Sequence, residues 1–251
     1  MMNQGKRRLQ QSVGTNQQGD TANTVFLLDI DGTLNEPQQP ITPEMHGKLQ
    51  RLARHHQVYF VTGNTYTKSV DLLNGHIKEF SGIFVNNADE LRTMRGKLMW
   101  HDTETPPLPD GVERCMRTIY DCSAKNCIEW RNPRFLNFSK IGRYASHEER
   151  IAHDASWRTD AVGYFKFRFP EIETAIGGAV SVDVYSHGAD KARACKYINA
   201  QGKKFIFIGD KMDIGGNDHC VKVYCDEHSE NICCTSNGTL TTMKLLDGFL
   251  G

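Results

Sequence analysis

The sequence has 251 residues, enough for one large or two modest domains, with 39% hydrophobic and 24% charged residues as in ordinary folded proteins. Lysine plus arginine equals aspartate plus glutamate at 30 each, so bulk charge makes no case for a nucleic-acid partner or a membrane surface, and any anion site must be local. No apolar run approaches membrane-spanning length, and the eight cysteines form neither a Cys-x-x-Cys pair nor a zinc pattern. A zinc site on Cys220 and Cys225 is disfavoured by its spacing, and reduced thiols in a cytoplasmic protein are the expectation.

Residues 1–23 are polar, rich in Gln, Asn and Gly, and carry Lys6-Arg7-Arg8. They lack the apolar stretch of a secretory signal and read as a disordered tail. Thr24 to Leu28 is a buried strand ending at Asp29. Thr42-Pro43-Glu44 is a helix start (cap, proline, acid), and that helix runs to about His55. Gln57 to Val61 is a second strand, ending at Thr62-Gly63-Asn64. A helix through Val70, Leu72 and Leu73 and a third strand at Gly82 to Val85 follow. This strand–helix–strand spacing implies a parallel sheet.

The pattern changes after Pro106-Pro107-Leu108-Pro109. A helix over about Asp110 to Ala124, strands at Cys127 to Arg131 and Phe135 to Ile141, a charged helix from Ser146, and a strand pair around Gly177-Gly178 read as an α+β insert with antiparallel strands. A helix over about Ala189 to Gln201 and a strand at Lys204 to Ile208 resume the parallel pattern. Strands at Val221 to Cys225 and Ile232 to Cys234, and a helix over Thr239 to Phe249, close the chain. One α/β core, residues 24–102 and 188–251, is thus split by a cap, residues 103–187.

Polar groups cluster at the ends of these strands, where parallel sheets bind ligands. Asp29-Ile30-Asp31-Gly32-Thr33-Leu34 places two carboxylates two residues apart at a strand end. Asp29 can attack phosphorus as a nucleophile and Asp31 can move a proton. Thr62 can donate to a phosphoryl oxygen, and Lys191 can add a point charge. Asp210 can complete a shell for a hard cation with Asp29 and the backbone carbonyl of Asp31.

These four stretches resemble the motifs of the haloacid dehalogenase (HAD) superfamily. Gly209-Asp210-Lys211 with Gly215-Gly216-Asn217-Asp218-His219, and cap stretches around Arg131, Arg143, Arg150, Ser181 and Asp183, resemble more closely the eukaryotic-type phosphomannomutase family. The resemblance spans roughly residues 24–250. It implies an α/β, Rossmann-like parallel-sheet core with an inserted C2-type cap. It also implies Asp29 as nucleophile, Asp31 as general acid/base, and Mg²⁺ at Asp29, Asp31 and Asp210. Thr62 and Lys191 would bind the reacting phosphate. Arg131, Arg143 and Arg150 would hold the distal phosphate, for which guanidinium forks suit better than lysine. Ser181 and Asp183 would take sugar hydroxyls or that phosphate. The implied substrates are hexose phosphates, the activator a hexose 1,6-bisphosphate, the pathway GDP-mannose synthesis, and the assembly a homodimer through the cap.

The chain departs from that family at Thr62-Gly63-Asn64, where the family has Gly-Gly-Ser, so either Thr62 or Asn64 serves the second motif. Gln38 stands where the family tends to carry an arginine, and Met212-Asp213-Ile214 also differs. A Mg²⁺-dependent sugar-phosphate phosphatase on the same scaffold is therefore a competing reading. A non-catalytic sugar-phosphate-binding module is a third, at odds with the presence of both aspartates, Lys191 and Asp210.

Overall fold

The computed structural model describes residues 24–75, 79–120, 126–142, 145–176 and 180–250. The chain runs through β1 (Thr24–Leu28), α1 (Pro43–Ala53), β2 (Gln57–Val61), α2 (Tyr66–Leu72), β3 (Gly82–Val85), β4 (Glu90–Arg92) and β5 (Leu98–His101). It continues through α3 (Val112–Ile119), β6 (Ile128–Asn132), β7 (Phe135–Phe138), α4 (His147–Ala152), α5 (Trp157–Arg168), β8 (Ile172–Ile176) and β9 (Val182–Ser186). Last come α6 (Ala192–Asn199), β10 (Lys204–Gly209), α7 (His219–Glu227), β11 (Ile232–Thr235) and α8 (Thr239–Leu250).

Among the described residues, seven strands form one sheet in the order β11-β10-β1-β2-β3-β4-β5. β1 lies centrally, parallel to β10 and to β2, while β4 and β5 add an antiparallel edge. Side chains alternate across this sheet. Phe26, Leu28, Phe60 and Ile208 face one way and pack on Leu49, Leu52 and Leu246 of α1 and α8. Val25, Leu27, Val61 and Phe207 face the other way, against Ala194 and Ile198 of α6 and Val221 of α7. Burial on both faces is why these strands are continuous apolar runs.

The second sheet, β6-β7-β9-β8, is antiparallel. Leu136, Phe138, Val182 and Val184 on one face pack with Met116, Trp157 and Phe165 of α3 and α5. The intervening residues on β7 and β9, Asn137 and Asp183, face the opposite way, toward the large sheet.

The segment Val221–Cys225 is a correction: it lies in helix α7, not in a strand. Val-Lys-Val-Tyr-Cys alternates as a strand would, yet Val221 and Cys225 are buried while Val223 is 42% exposed. The i, i+4 spacing of the two buried residues is helical, and two parallel neighbours, β10 and β11, need a crossover between them. The β4–β5 hairpin was not anticipated, and the charged helix from Ser146 is followed by a separate helix, α5. Part of the helix expected over Asp110 to Ala124, and Gly177-Gly178, lie outside the described residues.

A buried charged cluster joins the two sheets. Arg193 of α6 donates to Asp102 Oδ2 at 2.6 Å, to Asp89 Oδ1 at 3.1 Å and to the Asn87 carbonyl at 2.9 Å. Arg134, in the β6–β7 turn, reaches Asp89 Oδ1 at 3.4 Å and the Thr105 carbonyl. Asp89 is thus shared by an arginine from each sheet's side. Removing one member leaves buried charge uncompensated. Arg193→Met is therefore expected to lower the unfolding free energy by about 3–5 kcal/mol, measured by urea denaturation.

Candidate active site

β1 delivers Asp29 to the carboxyl edge of the sheet, where its N–H donates to the Ile208 carbonyl of β10 at 2.9 Å. The chain then turns sharply at Gly32, with φ +83°, and a Cβ there would lie 2.5 Å from Asp210 Oδ2. Only glycine lets this loop approach Asp210 so closely. Thr33 Oγ1 donates to Asp29 Oδ2 at 3.0 Å, and the Thr33 carbonyl accepts from Thr242 Oγ1 of α8 at 2.8 Å. The closing helix thereby fixes the threonine that orients the carboxylate.

Lys191, just ahead of α6, is 1% exposed. Its ammonium donates to Asp29 Oδ1 at 2.5 Å and to Asp218 Oδ1 at 2.6 Å. Burial works against that charge, but Asp218 and Asp29 outweigh it and hold the Lys191 pKa well above its ordinary value. Burial likewise pushes the Asp29 carboxyl up to about 7; Lys191 opposes this, while Asp218 and Asp210 reinforce it. Lys191 does not line the cavity that Asp29 faces, and meets it only through Asp29.

Asp218 Oδ2 accepts from the Lys211 N–H at 3.1 Å, and the Asp218 N–H donates to the Lys211 carbonyl at 3.1 Å. Lys211 Nζ donates to Asp210 Oδ2 at 3.0 Å. A Cβ at Gly209 would lie 2.6 Å from Asp218 Oδ2, so that position too is restricted to glycine by close approach. Oxygen atoms of Asp29, Asp210 and Asp218 all lie within 4.8 Å of one another, the one such acidic or thiol group among the described residues. Four carboxylates (these three and Asp31) face two ammonium groups (Lys191 and Lys211), a formal balance of −2. Hard oxygen donors with that deficit fit a divalent cation of the Mg²⁺ kind. The Asp31 side chain is outside this group.

The Asp31 carboxylate is held elsewhere. Asn64 Nδ2 donates to Asp31 Oδ2 at 2.5 Å, and the Gln38 N–H donates to Asp31 Oδ1 at 3.1 Å. Thr62 Oγ1 accepts from the Asn64 N–H at 3.1 Å, so Thr62 shapes the turn from which Asn64 reaches Asp31. That turn is braced by Asn86 and Asn87, whose N–H groups donate to the Asn64 and Thr62 carbonyls at 2.9 and 3.0 Å. Asn86, Asn87 and Ala88 all have positive φ, a left-handed stretch uncommon for such residues.

Above this floor lies a cavity of about 590 Å³. Asp29, Asp31, Gln38, Thr62, Asn64 and Lys211 line it from the large sheet's side. Arg131, Arg150, Ser181 and Asp183 line it from the small sheet's side. Arg150 is placed by the start of α4: Ser146 and Glu149 form a reciprocal capping box, and Arg150 Nε donates to the Ala145 carbonyl at 3.0 Å. Arg131 Nη1 pairs with Glu129 Oε1 at 2.5 Å. Asp183 Oδ1 accepts from Asn137 Nδ2 at 2.7 Å; burial raises the Asp183 pKa against that bond and the nearby Arg131. Arg143 lies outside the described residues, next to Gly142, which lines the cavity. The sequence reading gave no role to Asp218, Thr33 or Lys211. Asp218 was legible as part of Gly-Gly-Asn-Asp-His, but its partnership with Lys191 needs the fold.

A family model described as eukaryotic phosphomannomutase matches residues 45–247. A phosphomannomutase of Triticum aestivum is 31% identical, covering 79% of this chain and 85% of its own. Phosphomannomutase 1 of Dictyostelium discoideum is 30% identical, covering 78% and 86%. Among solved structures, an IMP-bound mutant of Plasmodium falciparum IMP-nucleotidase superposes with TM-score 0.64 at 14% identity, over 90% of this chain and 68% of the other. That likeness concerns the fold alone.

With Asp29 and Asp218 buried around it, Lys191 cannot be removed without leaving two charges unpaired. Lys191→Met is expected to cost about 3–5 kcal/mol of stability at neutral pH, read from denaturant midpoints against wild type.

Proposed function

The chain belongs to the eukaryotic phosphomannomutase family, and from that membership we propose that it interconverts mannose 6-phosphate and mannose 1-phosphate through a hexose 1,6-bisphosphate, serving GDP-mannose synthesis. The observation that carries the reading is the cavity itself. Its floor presents Asp29 and Asp31, and its roof presents arginines and polar side chains, so it suits a sugar with one reacting phosphate and one held phosphate.

In the proposed sequence an Asp29 oxygen attacks phosphorus, the P–O bond to the sugar breaks, and Asp31 gives its proton to the departing sugar oxygen. In the return step Asp31 takes the proton from the accepting hydroxyl as that oxygen attacks the aspartyl phosphate and Asp29 leaves. Asn64 and the Gln38 N–H hold Asp31 in place for both transfers. Lys191 and Thr33 orient Asp29. Thr62 and Lys191 serve the reacting phosphate, the latter through Asp29. Arg131, Arg143 and Arg150, with Ser181 and Asp183, serve the sugar and the held phosphate. Residues 103–187 act as a cap that excludes water from the aspartyl phosphate.

Mg²⁺ would be held by Asp29, Asp210 and Asp218, with the Asp31 carbonyl, and when bound supplies positive charge against that developing on the phosphoryl oxygens. A hexose 1,6-bisphosphate is proposed as activator, because it phosphorylates Asp29. The proposal extends to a cytoplasmic homodimer. Free thiols such as Cys115, Cys127 and Cys195 are in keeping with a reducing compartment. No helix among the described residues is long and apolar enough to cross a membrane. Trp130, 44% exposed on the edge strand β6, and Ile119, 41% exposed on α3, support the cap as the pairing surface.

Incubation with mannose 1-phosphate, Mg²⁺ and a trace of glucose 1,6-bisphosphate, followed by ³¹P NMR, tests the reading. Mannose 6-phosphate is expected to grow without inorganic phosphate; inorganic phosphate as main product would make the protein a phosphatase instead. Asp29→Asn should lower turnover by at least about 10³-fold. Added Mg²⁺ should raise the wild-type melting temperature, and Asp210→Asn should abolish that rise, since only a bound ligand stabilises.

A further inference from the structure

Alternate residues of β6, β7 and β9 form rungs across the small sheet's polar face. Phe135 opposes Tyr185 on one rung. Phe135 lies against Gly63, where its ring would be 3.7 Å from an added Cβ, so this rung is the one nearest the catalytic floor. The next rung joins Glu129, Asn137 and Asp183. One step beyond the Phe138–Val182 pair, Ser139 falls beside Ser181, and the Ser139 N–H donates to the Cys127 carbonyl at 2.8 Å. Cys127, Ser139 and Ser181 thus make a third rung, and Ser139 sits about 13 Å along the strand from Phe135. Glu129, Asn137, Asp183, Cys127, Ser139 and Ser181 all line the cavity.

The two outer rungs differ in chemistry. The Glu129–Asn137–Asp183 rung is rich in acceptor oxygens, and one of the two Asn137 amide hydrogens is spent on Asp183. It suits the O–H donors of a sugar. The serine rung is uncharged and offers hydroxyl donors. It lies beside the turn closed by the Gly142 N–H on the Ser139 carbonyl at 3.0 Å. Ser139 is 5% exposed, and its Oγ is buried without a hydrogen-bond partner. A buried hydroxyl left unpaired is costly, and because Ser139 lines the cavity a ligand atom there can complete it.

Resting on the function proposed above, we propose that Ser139 contacts the substrate: its hydroxyl donates to the phosphate that is held rather than transferred, while the acceptor rung beneath it takes the sugar hydroxyls. Ser139 is thereby a specificity residue that sets how far from Asp29 the second anion sits.

The test compares wild type, Ser139→Ala and Ser139→Thr in two readouts. Calorimetric binding of mannose 6-phosphate is expected to weaken about tenfold in the alanine variant and to recover in the threonine variant. In the mutase assay the alanine variant is expected to raise KM for mannose 1-phosphate about tenfold while kcat stays within about twofold. Affinity and KM within twofold of wild type in Ser139→Ala would overturn the proposal, as would a loss confined to kcat or accompanied by a fallen melting temperature. Wild type that binds mannose 6-phosphate but converts nothing would overturn the mutase reading alone, because binding still tests Ser139. Wild type that neither binds nor converts overturns both.

Discussion

The structure depends on one buried ammonium. Lys191 lies between Asp29 and Asp218 with almost no exposure to water. A buried ion pair is a weak source of stability, because desolvating the ions consumes most of what their attraction returns. Its consequence here is chemical. Burial raises the Asp29 pKa, and Asp218 and Asp210 push the same way. Lys191 is the fixed charge that opposes them, and it takes one oxygen of Asp29 while Thr33 takes the other. The remaining negative charge of the cluster calls for a cation. The same interaction joins segments 162 residues apart in sequence, pinning the end of β1 to the start of α6 and the loop after β10.

From that centre the requirements pass outward into the cap. The loop bearing Asp210 and Asp218 is tied to the small sheet by the Ile176 N–H, which donates to the Gly215 carbonyl at 3.0 Å, and by a bridge between Ile176 and Gly216. The position of the small sheet and the position of the acidic loop are therefore coupled through backbone. On the other side, Asp89 is gripped by Arg193 from the core and Arg134 from the β6–β7 turn. The polar face of the small sheet is thus held over Asp29 from two directions, and the cavity between them has a defined depth.

Much of this was legible in the sequence where one physical rule acted alone. Strands buried on both faces, such as Phe26 to Leu28 and Phe205 to Ile208, must be continuous apolar runs, and they were read as such. Thr42-Pro43-Glu44 announced α1 because capping is local, and Thr42 does accept from Met45 N–H. Val221 to Cys225 misled because a five-residue alternation of apolar and polar residues satisfies both a strand and one helical face. Only the crossover demanded by parallel β10 and β11 decides between them. The site divided the same way. Asp29, Asp31 and Asp210 announced themselves by spacing. The pairing of Lys191 with Asp218 and of Asn64 with Asp31 rests on contacts between distant segments, and no local pattern encodes those.

Gln38 supports the Asp31 carboxylate through its backbone rather than its side chain. Gln38 adopts φ +66°, in a turn closed by the Gln39 N–H on the Glu36 carbonyl at 2.9 Å and by Asn35 Nδ2 on the Gln39 carbonyl at 2.5 Å. A left-handed conformation costs a residue with a Cβ about 1–2 kcal/mol, so the surrounding bonds must hold it there. What it supplies is the N–H that donates to Asp31. The placement of the Asp31 carboxylate thus draws on the turn's shape, while Arg131 and Arg150 line the cavity from the small sheet's side. The turn's backbone and the small sheet's side chains thus meet the cavity through different atoms.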